Sequence, residues 1–211
     1  MSTSSSELAF PNVENALEEP NGLLAVGGDL SAERLLIAYR SGIFPWFSED
    51  EPIMWWSPNP RCVLFPEQLH INKSLRKAIL NADIQIKHNT AFRRVMEHCA
   101  APRKQQNGTW ILPDMIEAYC SLNKKGKAHS IECWRDESLI GGLYGVAIGK
   151  VFFGESMFSL ESNASKIALV SLAQSGRWSL IDCQQPSDHL QKLGATEIPR
   201  KEFIKLLAKH C

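Results

Sequence analysis

The segment FPWFSEDEPIMWWSPNPR, Phe44 to Arg61, restricts the possible folds of this chain more than any other stretch. It places five aromatic rings and four prolines in eighteen residues, with neither the alternation of a strand nor the spacing of a helix. Proline fixes φ and removes a backbone donor, so helix interior and central strand are both ruled out there. The rings are therefore expected on preset loops. Two uses fit them: a plug at a domain junction, or one wall of a pocket for a flat or apolar ligand. The prolines and the change of composition behind them set an expected boundary near Arg61. It divides a small N-terminal domain, residues 1–61, from a larger one, residues 62–211.

Before that segment, turn signals lead into a helix that Ser31 can cap, with Glu33 in its first turn and Gly42 at its end. After it, "CVLFP" reads as a strand, "NKSLRKAILNA" as a helix, "IQIKHN" as a strand, and "AFRRVMEHCA" and "PDMIEAYCSLNKKG" as helices. The stretch from His129 to Phe158 gives three strand-like runs separated by "RDES" and "IGK", an antiparallel meander. A helix over "NASKIALVSLAQS", the strand "WSLIDCQ", a short helix, the strand "TEIP" and a terminal helix follow. The fold class is α+β. Meander, helix, strand, helix, strand is the order of a GNAT-type N-acyltransferase core, a mixed sheet flanked by helices. Other α+β folds share that order.

Composition removes several functions. No run of eighteen apolar residues exists, and the opening "MSTSSSELAFP" lacks the basic and apolar regions of a secretory signal. The expectation is a cytoplasmic protein without a membrane partner. Six scattered cysteines without a CxxC pair read as reduced thiols, and the six histidines contain no HExxH, so no metal site is expected. Net charge is zero, yet residues 72–104 carry eight Lys or Arg against Asp83 and Glu97. That segment is +6 and the remainder −6. Segregated positive charge suits a local phosphate-binding surface, although a solvated helix face also accounts for it. A second cluster, Lys124, Lys125 and Lys127, follows. His129 and His189 read as structural, "GGDL" as a turn into a helix, and Cys183 as core on the sheet face opposite its neighbours.

A GNAT enzyme holds coenzyme A through a glycine-rich loop whose backbone N–H groups, at a helix start, cradle the pyrophosphate. The equivalent stretch here, "FSLESNASKIAL", has no glycine and puts Glu161 near the helix start. Coenzyme A is not expected, and neither is any other cofactor.

Several blocks, in order from about residue 19 to residue 203, carry a family resemblance: "EPNGLLAVGGDLSAERLLIAYRSGIFPWF", "WWSPNPR", "GTWI", "GGLYGV", "GESMFS", "NASK", "LIDCQ" and "LGATEIPR". The chain resembles the leucyl/phenylalanyl-tRNA–protein transferase family. The resemblance implies a small N-terminal domain and a GNAT-like catalytic domain. It implies an enzyme that moves leucine or phenylalanine from aminoacyl-tRNA to proteins with N-terminal Arg or Lys, marking them for degradation by the N-end rule pathway. Alternatives are a non-enzymatic tRNA-binding module and a coenzyme-A-dependent N-acetyltransferase. A monomer is expected.

The resemblance also implies a site. Trp46, Trp110, Phe152 and Met157 would form the donor's side-chain pocket. Leu143 and Leu172 stand where relatives often carry larger or more flexible residues. An apolar pocket discriminates by about 1–3 kcal/mol per methylene, so methionine is a third candidate donor. Asp182 and Gln184 sit two apart on a strand, hence on one face. Asp182 would polarise Gln184, whose amide oxygen would accept a hydrogen bond from the attacking amine. Glu155 would pair with the acceptor's N-terminal Arg or Lys. Lys73, Arg76 and Lys77 are the candidate tRNA-binding residues.

Overall fold

The computed structural model describes residues 8–101 and 109–211. Arg103 and Lys104 of the basic segment, and the first seven residues of the opening, lie outside the described residues. Two sheets organise the chain. The first is antiparallel and small, built from β1 (Leu23–Val26), β2 (Phe44–Pro45) and β3 (Met54–Trp56) in the order β1-β3-β2. Two short strands therefore interrupt the expected loops. Pro45 is tolerated because β2 is an edge strand. Trp55 and Trp56 are buried and donate their indole N–H groups to the carbonyls of Gly27 and Trp46, at 2.9 and 2.6 Å. Those two rings are the plug; Trp46 stays exposed. Helix α1 (Ala32–Arg40) begins as expected, the Ser31 hydroxyl accepting from the Arg34 N–H. It ends at Gly42, whose φ of +75° suits glycine and where an added Cβ would stand 2.6 Å from Ile204.

The second sheet contains β4 (Arg61–Leu64), β5 (Gln85–His88), β6 (Ala128–Arg135), β7 (Ser138–Ile148), β8 (Val151–Ser159), β9 (Leu180–Gln184) and β10 (Thr196–Ile198). Their order is β10-β4-β9-β8-β7-β6-β5. The meander β6-β7-β8 turns at Asp136 and Gly149, with φ of +52° and +56°. Every neighbouring pair is antiparallel except β8 and β9, which α5 (Ala164–Gln174) connects. This is the α+β, GNAT-like layout expected of the sequence.

Alternation along the strands feeds two cores. Tyr144, Val146 and Phe153 face a cluster with α1, α3 (Phe92–Ala100), α4 (Pro113–Lys124) and α7 (Arg200–His210). Leu143, Phe152 and Ile181 face a second, with α2 (Lys73–Asn81) and α5. The short α6 (Asp188–Lys192) packs Leu190 against that second cluster. The first cluster runs without a break from Leu35, Tyr39 and Trp55 to Phe153 and Phe203, joining the two sheets. Among the described residues, no helix is long and apolar enough to cross a membrane.

Glu132 on β6 fixes one side of the sheet to α3. Its fully buried carboxylate accepts from the Ala91 N–H at 2.8 Å, the Ser130 hydroxyl at 2.7 Å, the Trp134 indole at 3.0 Å and the Thr90 hydroxyl. Burial pushes its pKa up, but these donors outweigh burial and hold it below the usual carboxylate range. Ala91 has no side-chain cap of its own, so Glu132 serves as the N-terminal cap of α3 from another strand. Glu132→Ala leaves several donors buried without an acceptor. It is expected to cost about 3 kcal/mol or more in urea unfolding. A loss below about 1 kcal/mol would show that water replaces the carboxylate.

Candidate active site

The site forms where the parallel pair opens. β8 and β9 are paired from Val151↔Leu180 to Phe153↔Asp182 and no further. Just beyond, each strand has a bulge against its other neighbour. On β8, Tyr144↔Ser156 is followed by Gly145↔Gly154, so Glu155 is the extra residue. On β9, Cys62↔Gln184 is followed by Val63↔Asp182, so Cys183 is the extra residue. A bulge breaks the two-residue period and re-aims side chains. Gln184 takes the left-handed conformation, with φ of +61°, rare for a residue with a Cβ. The result is a contact between the opened strands: Gln184 Nε2 donates to Glu155 Oε1 at 2.7 Å. Gly145 is required beside it, because an added Cβ would lie 2.1 Å from the Phe153 carbonyl oxygen.

Asp182 is placed differently from the expectation. The Gln184 side-chain amide bonds Glu155 and not the Asp182 carboxylate. Arg61 takes both carboxylate oxygens, Nε to Oδ1 at 2.8 Å and Nη2 to Oδ2 at 2.7 Å, with side chains 1% and 0% exposed. Arg61 Nη1 also donates to the Gly42 carbonyl at 3.2 Å. The Phe44 and Phe203 rings lie 4.6 and 4.7 Å from its guanidinium carbon, a cation–π sandwich. Asp182 reaches Gln184 only through the main chain, Oδ1 accepting the Gln184 N–H at 2.9 Å. The carboxylate thus holds the backbone of the bulge, and the side-chain amide bonds Glu155 instead. Arg61 was missed as a functional residue. The available signal was a charge opening an otherwise apolar strand, "RCVLF".

Glu155 is 8% exposed. The Tyr119 hydroxyl donates to its Oε2 at 3.2 Å, and Tyr119 shares a hydrogen bond with Tyr39. Burial raises its pKa to about 7. The Asp182 charge adds to the rise, and the Tyr39 and Tyr119 hydroxyls and Arg61 oppose it. Neither tyrosine was legible as part of a site, since each reads as the apolar face of a helix.

Two cavities meet at Glu155 and Cys183. One, about 200 Å³, is walled by Phe44, Pro45, Trp46, Trp110, Gln184 and Gln185. The other, about 110 Å³, is mostly apolar, with Leu143, Phe152, Met157, Leu172 and Ile181 around it. The six residues expected in one pocket are therefore divided, the tryptophans on one side and the aliphatic set with Phe152 on the other. The proline-rich segment supplies a wall as well as a plug. Cys183, expected in the core, lies half-buried between the cavities, because its bulge cancels the alternation. Lys73, Arg76 and Lys77 are exposed in the first turns of α2 and line neither cavity. His129 is held by Asn89, ring nitrogen to amide at 3.0 Å, and burial lowers its pKa. His189 lies beside Ser187 at the margin of the apolar cavity. In "GGDL", Asp29 Oδ1 accepts the Ser31 N–H at 2.9 Å, a turn into α1. At the start of α5, Glu161 pairs with Arg135, and the Ser159 hydroxyl accepts the Ser165 N–H at 3.2 Å.

Two family models match the chain: leucyl/phenylalanyl-tRNA protein transferase over residues 63–208, and the N-terminal domain of that transferase over residues 28–59. Curated relatives carry the name leucyl/phenylalanyl-tRNA–protein transferase. That of Nitrosomonas eutropha is 58% identical over 97% of this chain and 88% of its own length. That of Azotobacter vinelandii is 54% identical over 96% of this chain and 91% of its own. A solved GCN5-related N-acetyltransferase from Kribbella flavida overlaps with a TM-score of 0.39 and 11% identity, over 78% of this chain and 59% of its own.

The raised pKa of Glu155 makes stability depend on pH. The folded value, about 7, lies above the ordinary 4.5, so between them the folded state holds a proton that the unfolded chain has lost. The contribution is complete below the ordinary value and disappears as pH rises through the folded one. Relative to Glu155→Gln, the parent protein is expected to lose up to about 3 kcal/mol across that window in urea unfolding. Parallel pH curves for the two proteins would contradict the buried carboxyl.

Proposed function

This chain belongs to the leucyl/phenylalanyl-tRNA protein transferase family, and from that premise we propose that it transfers leucine or phenylalanine from aminoacyl-tRNA to the α-amine of proteins beginning with Arg or Lys. The observation that supports this reading is the contact between Glu155 and Gln184 at the meeting of two unlike cavities. The smaller, apolar cavity takes the donor's side chain, with methionine a third candidate of similar size. The cavity walled by Trp46 and Trp110 takes the terminal adenosine and the acceptor's end, since indole side chains line it and aromatic rings can stack on a base. Lys73, Arg76 and Lys77 supply a phosphate-binding surface on α2.

An aminoacyl ester is already activated, so the chemistry needs no enzyme nucleophile. The acceptor's α-amine, with an ordinary pKa of about 7.7–8.0, attacks the ester carbonyl directly. Gln184 gives its amide N–H to Glu155, which turns its amide oxygen the other way, to accept from the amine. Glu155 supplies the negative charge that the acceptor's cationic end meets. Asp182 acts as a positioning residue through the Gln184 backbone. In this reading residues 1–61 form the N-terminal domain and residues 62–211 the catalytic one. Arg61 is the clasp between them. The enzyme works as a cytoplasmic monomer and marks its products for N-end rule degradation.

Incubation with labelled Leu-tRNA and a protein beginning with Arg is expected to place label in the protein, and far less in the same protein beginning with Ala. No label in either would contradict the proposed activity. In the same assay, alanine at Lys73, Arg76 and Lys77 together is expected to weaken tRNA binding and flatten its log–log salt slope by about two to three. Turnover at saturating tRNA stays near that of the parent. An unchanged slope would place the phosphate surface elsewhere.

A further inference from the structure

Two carboxylates border the opened strands, and the structure gives them unlike surroundings. Resting on the reading above, we infer that Glu155, and not Asp182, is the proton shuttle of the transfer step: its carboxylate takes the proton from the attacking amine and delivers it to the departing ribose oxygen.

Asp182 is unsuited to that work. Arg61 occupies both of its oxygens in a bidentate pair, the Gln184 N–H takes a further position on Oδ1, and none of its surface is exposed. A carboxylate with both oxygens so engaged offers no open position to a proton from the amine.

Glu155 differs in each respect. It is the carboxylate that lines both cavities without a cation bonded to it. Its bonded partners are neutral: the Gln184 amide on Oε1 and the Tyr119 hydroxyl on Oε2. The groups around it come from five elements. Tyr39 lies on α1, Tyr119 on α4, Tyr144 on β7, Asp182 on β9 and Arg61 on β4. Arg61 is committed to Asp182, and the residual Asp182 charge opposes ionisation of Glu155. The value of about 7 that follows, first from burial, suits a group that must gain and lose a proton near neutrality. Tyr119, itself bonded to Tyr39, holds Oε2, which leaves Oε1 on the side of Gln184 and the open strands.

The step balances. The lone pair of the neutral amine attacks the ester carbonyl carbon, and a C–N bond forms. One N–H proton passes to Glu155 as the nitrogen becomes positive. The tetrahedral carbon then collapses, and the C–O bond to the ribose breaks with its electron pair on oxygen. That oxygen takes the proton from Glu155, which returns to carboxylate. No proton is gained or lost overall, and one group serves both bond changes.

The test is kcat against pH, at saturating Leu-tRNA and saturating Arg-starting peptide, for the parent protein, Glu155→Gln and Glu155→Asp. For the parent, log kcat is expected to fall on the acid side with a slope approaching about two, one proton belonging to the acceptor's amine and one to Glu155. Glu155→Gln lowers kcat by about a hundredfold or more, keeps tRNA affinity and reduces the slope to about one. Glu155→Asp restores part of the rate and the steeper slope. A Glu155→Gln protein with parental kcat and a raised peptide KM would overturn the inference, leaving Glu155 with the anchoring of the acceptor's charge as its sole role. A lowered kcat with the steeper slope intact would overturn it too. A parent protein that transfers no leucine would instead remove the proposed function on which the inference rests.

Discussion

Arg61 and Asp182 lie 121 residues apart in sequence and meet as a bidentate ion pair with almost no exposed surface. The guanidinium bonds the Gly42 carbonyl, and the rings of Phe44 and Phe203 cover it. Four parts of the chain converge on this one charge: the end of α1, the proline-rich segment, β9 and α7. A buried pair of this kind is poor evidence for extra stability, because desolvating two ions offsets most of their attraction. Removing one partner is another matter, since the remaining charge has no water to turn to. The pair therefore acts chiefly as a constraint. It requires the small sheet, the bulge of β9 and the C-terminal helix to hold one mutual arrangement, and the Gln184 backbone is fixed as a consequence.

The stiffness of the Phe44–Arg61 segment follows from that constraint. Its rings have two duties: Trp55 and Trp56 are buried between the sheets, while Trp46 and Phe44 face a cavity. Prolines reduce the freedom the chain must lose to place rings in both directions at once. On the other side of the site, the β8 bulge brings Glu155 out of register and within reach of Gln184. Each bulge alone would be a local irregularity. Side by side on strands that part after Phe153 and Asp182, they make a polar contact between an aromatic-walled cavity and an apolar one.

Much of the fold was legible because its signals are local. The meander follows from alternation and two turns, and α1 from Ser31, which caps its helix through a side-chain oxygen. The site was legible chiefly through the family resemblance of its blocks, and only as a set of residues. Their grouping was not. Strand periodicity put Asp182 and Gln184 on one face and Cys183 on the other. Bulges void that rule, and nothing local marks a bulge at Glu155 or Cys183. Pairing across 121 residues is equally invisible, so Arg61 read as a boundary and Asp182 as a partner of the Gln184 amide. Tyr39 and Tyr119 carry the apolar pattern of buried helix faces, and only the folded chain shows their hydroxyls directed at a carboxylate.

By holding the Gln184 backbone, the Arg61–Asp182 pair sets the geometry of the candidate site as well as joining the sheets. The direct measurement is a double-mutant cycle with Arg61→Met and Asp182→Leu, read both as unfolding free energy and as single-turnover leucyl transfer. Each single change should cost about 3–5 kcal/mol, and the double change should recover most of that loss, because no charge is left unpaired. Transfer by the double variant should nevertheless stay about a hundredfold below the parent, since Gln184 has lost the acceptor that fixes its backbone. A stable double variant that transfers leucine at the parental rate would contradict the account.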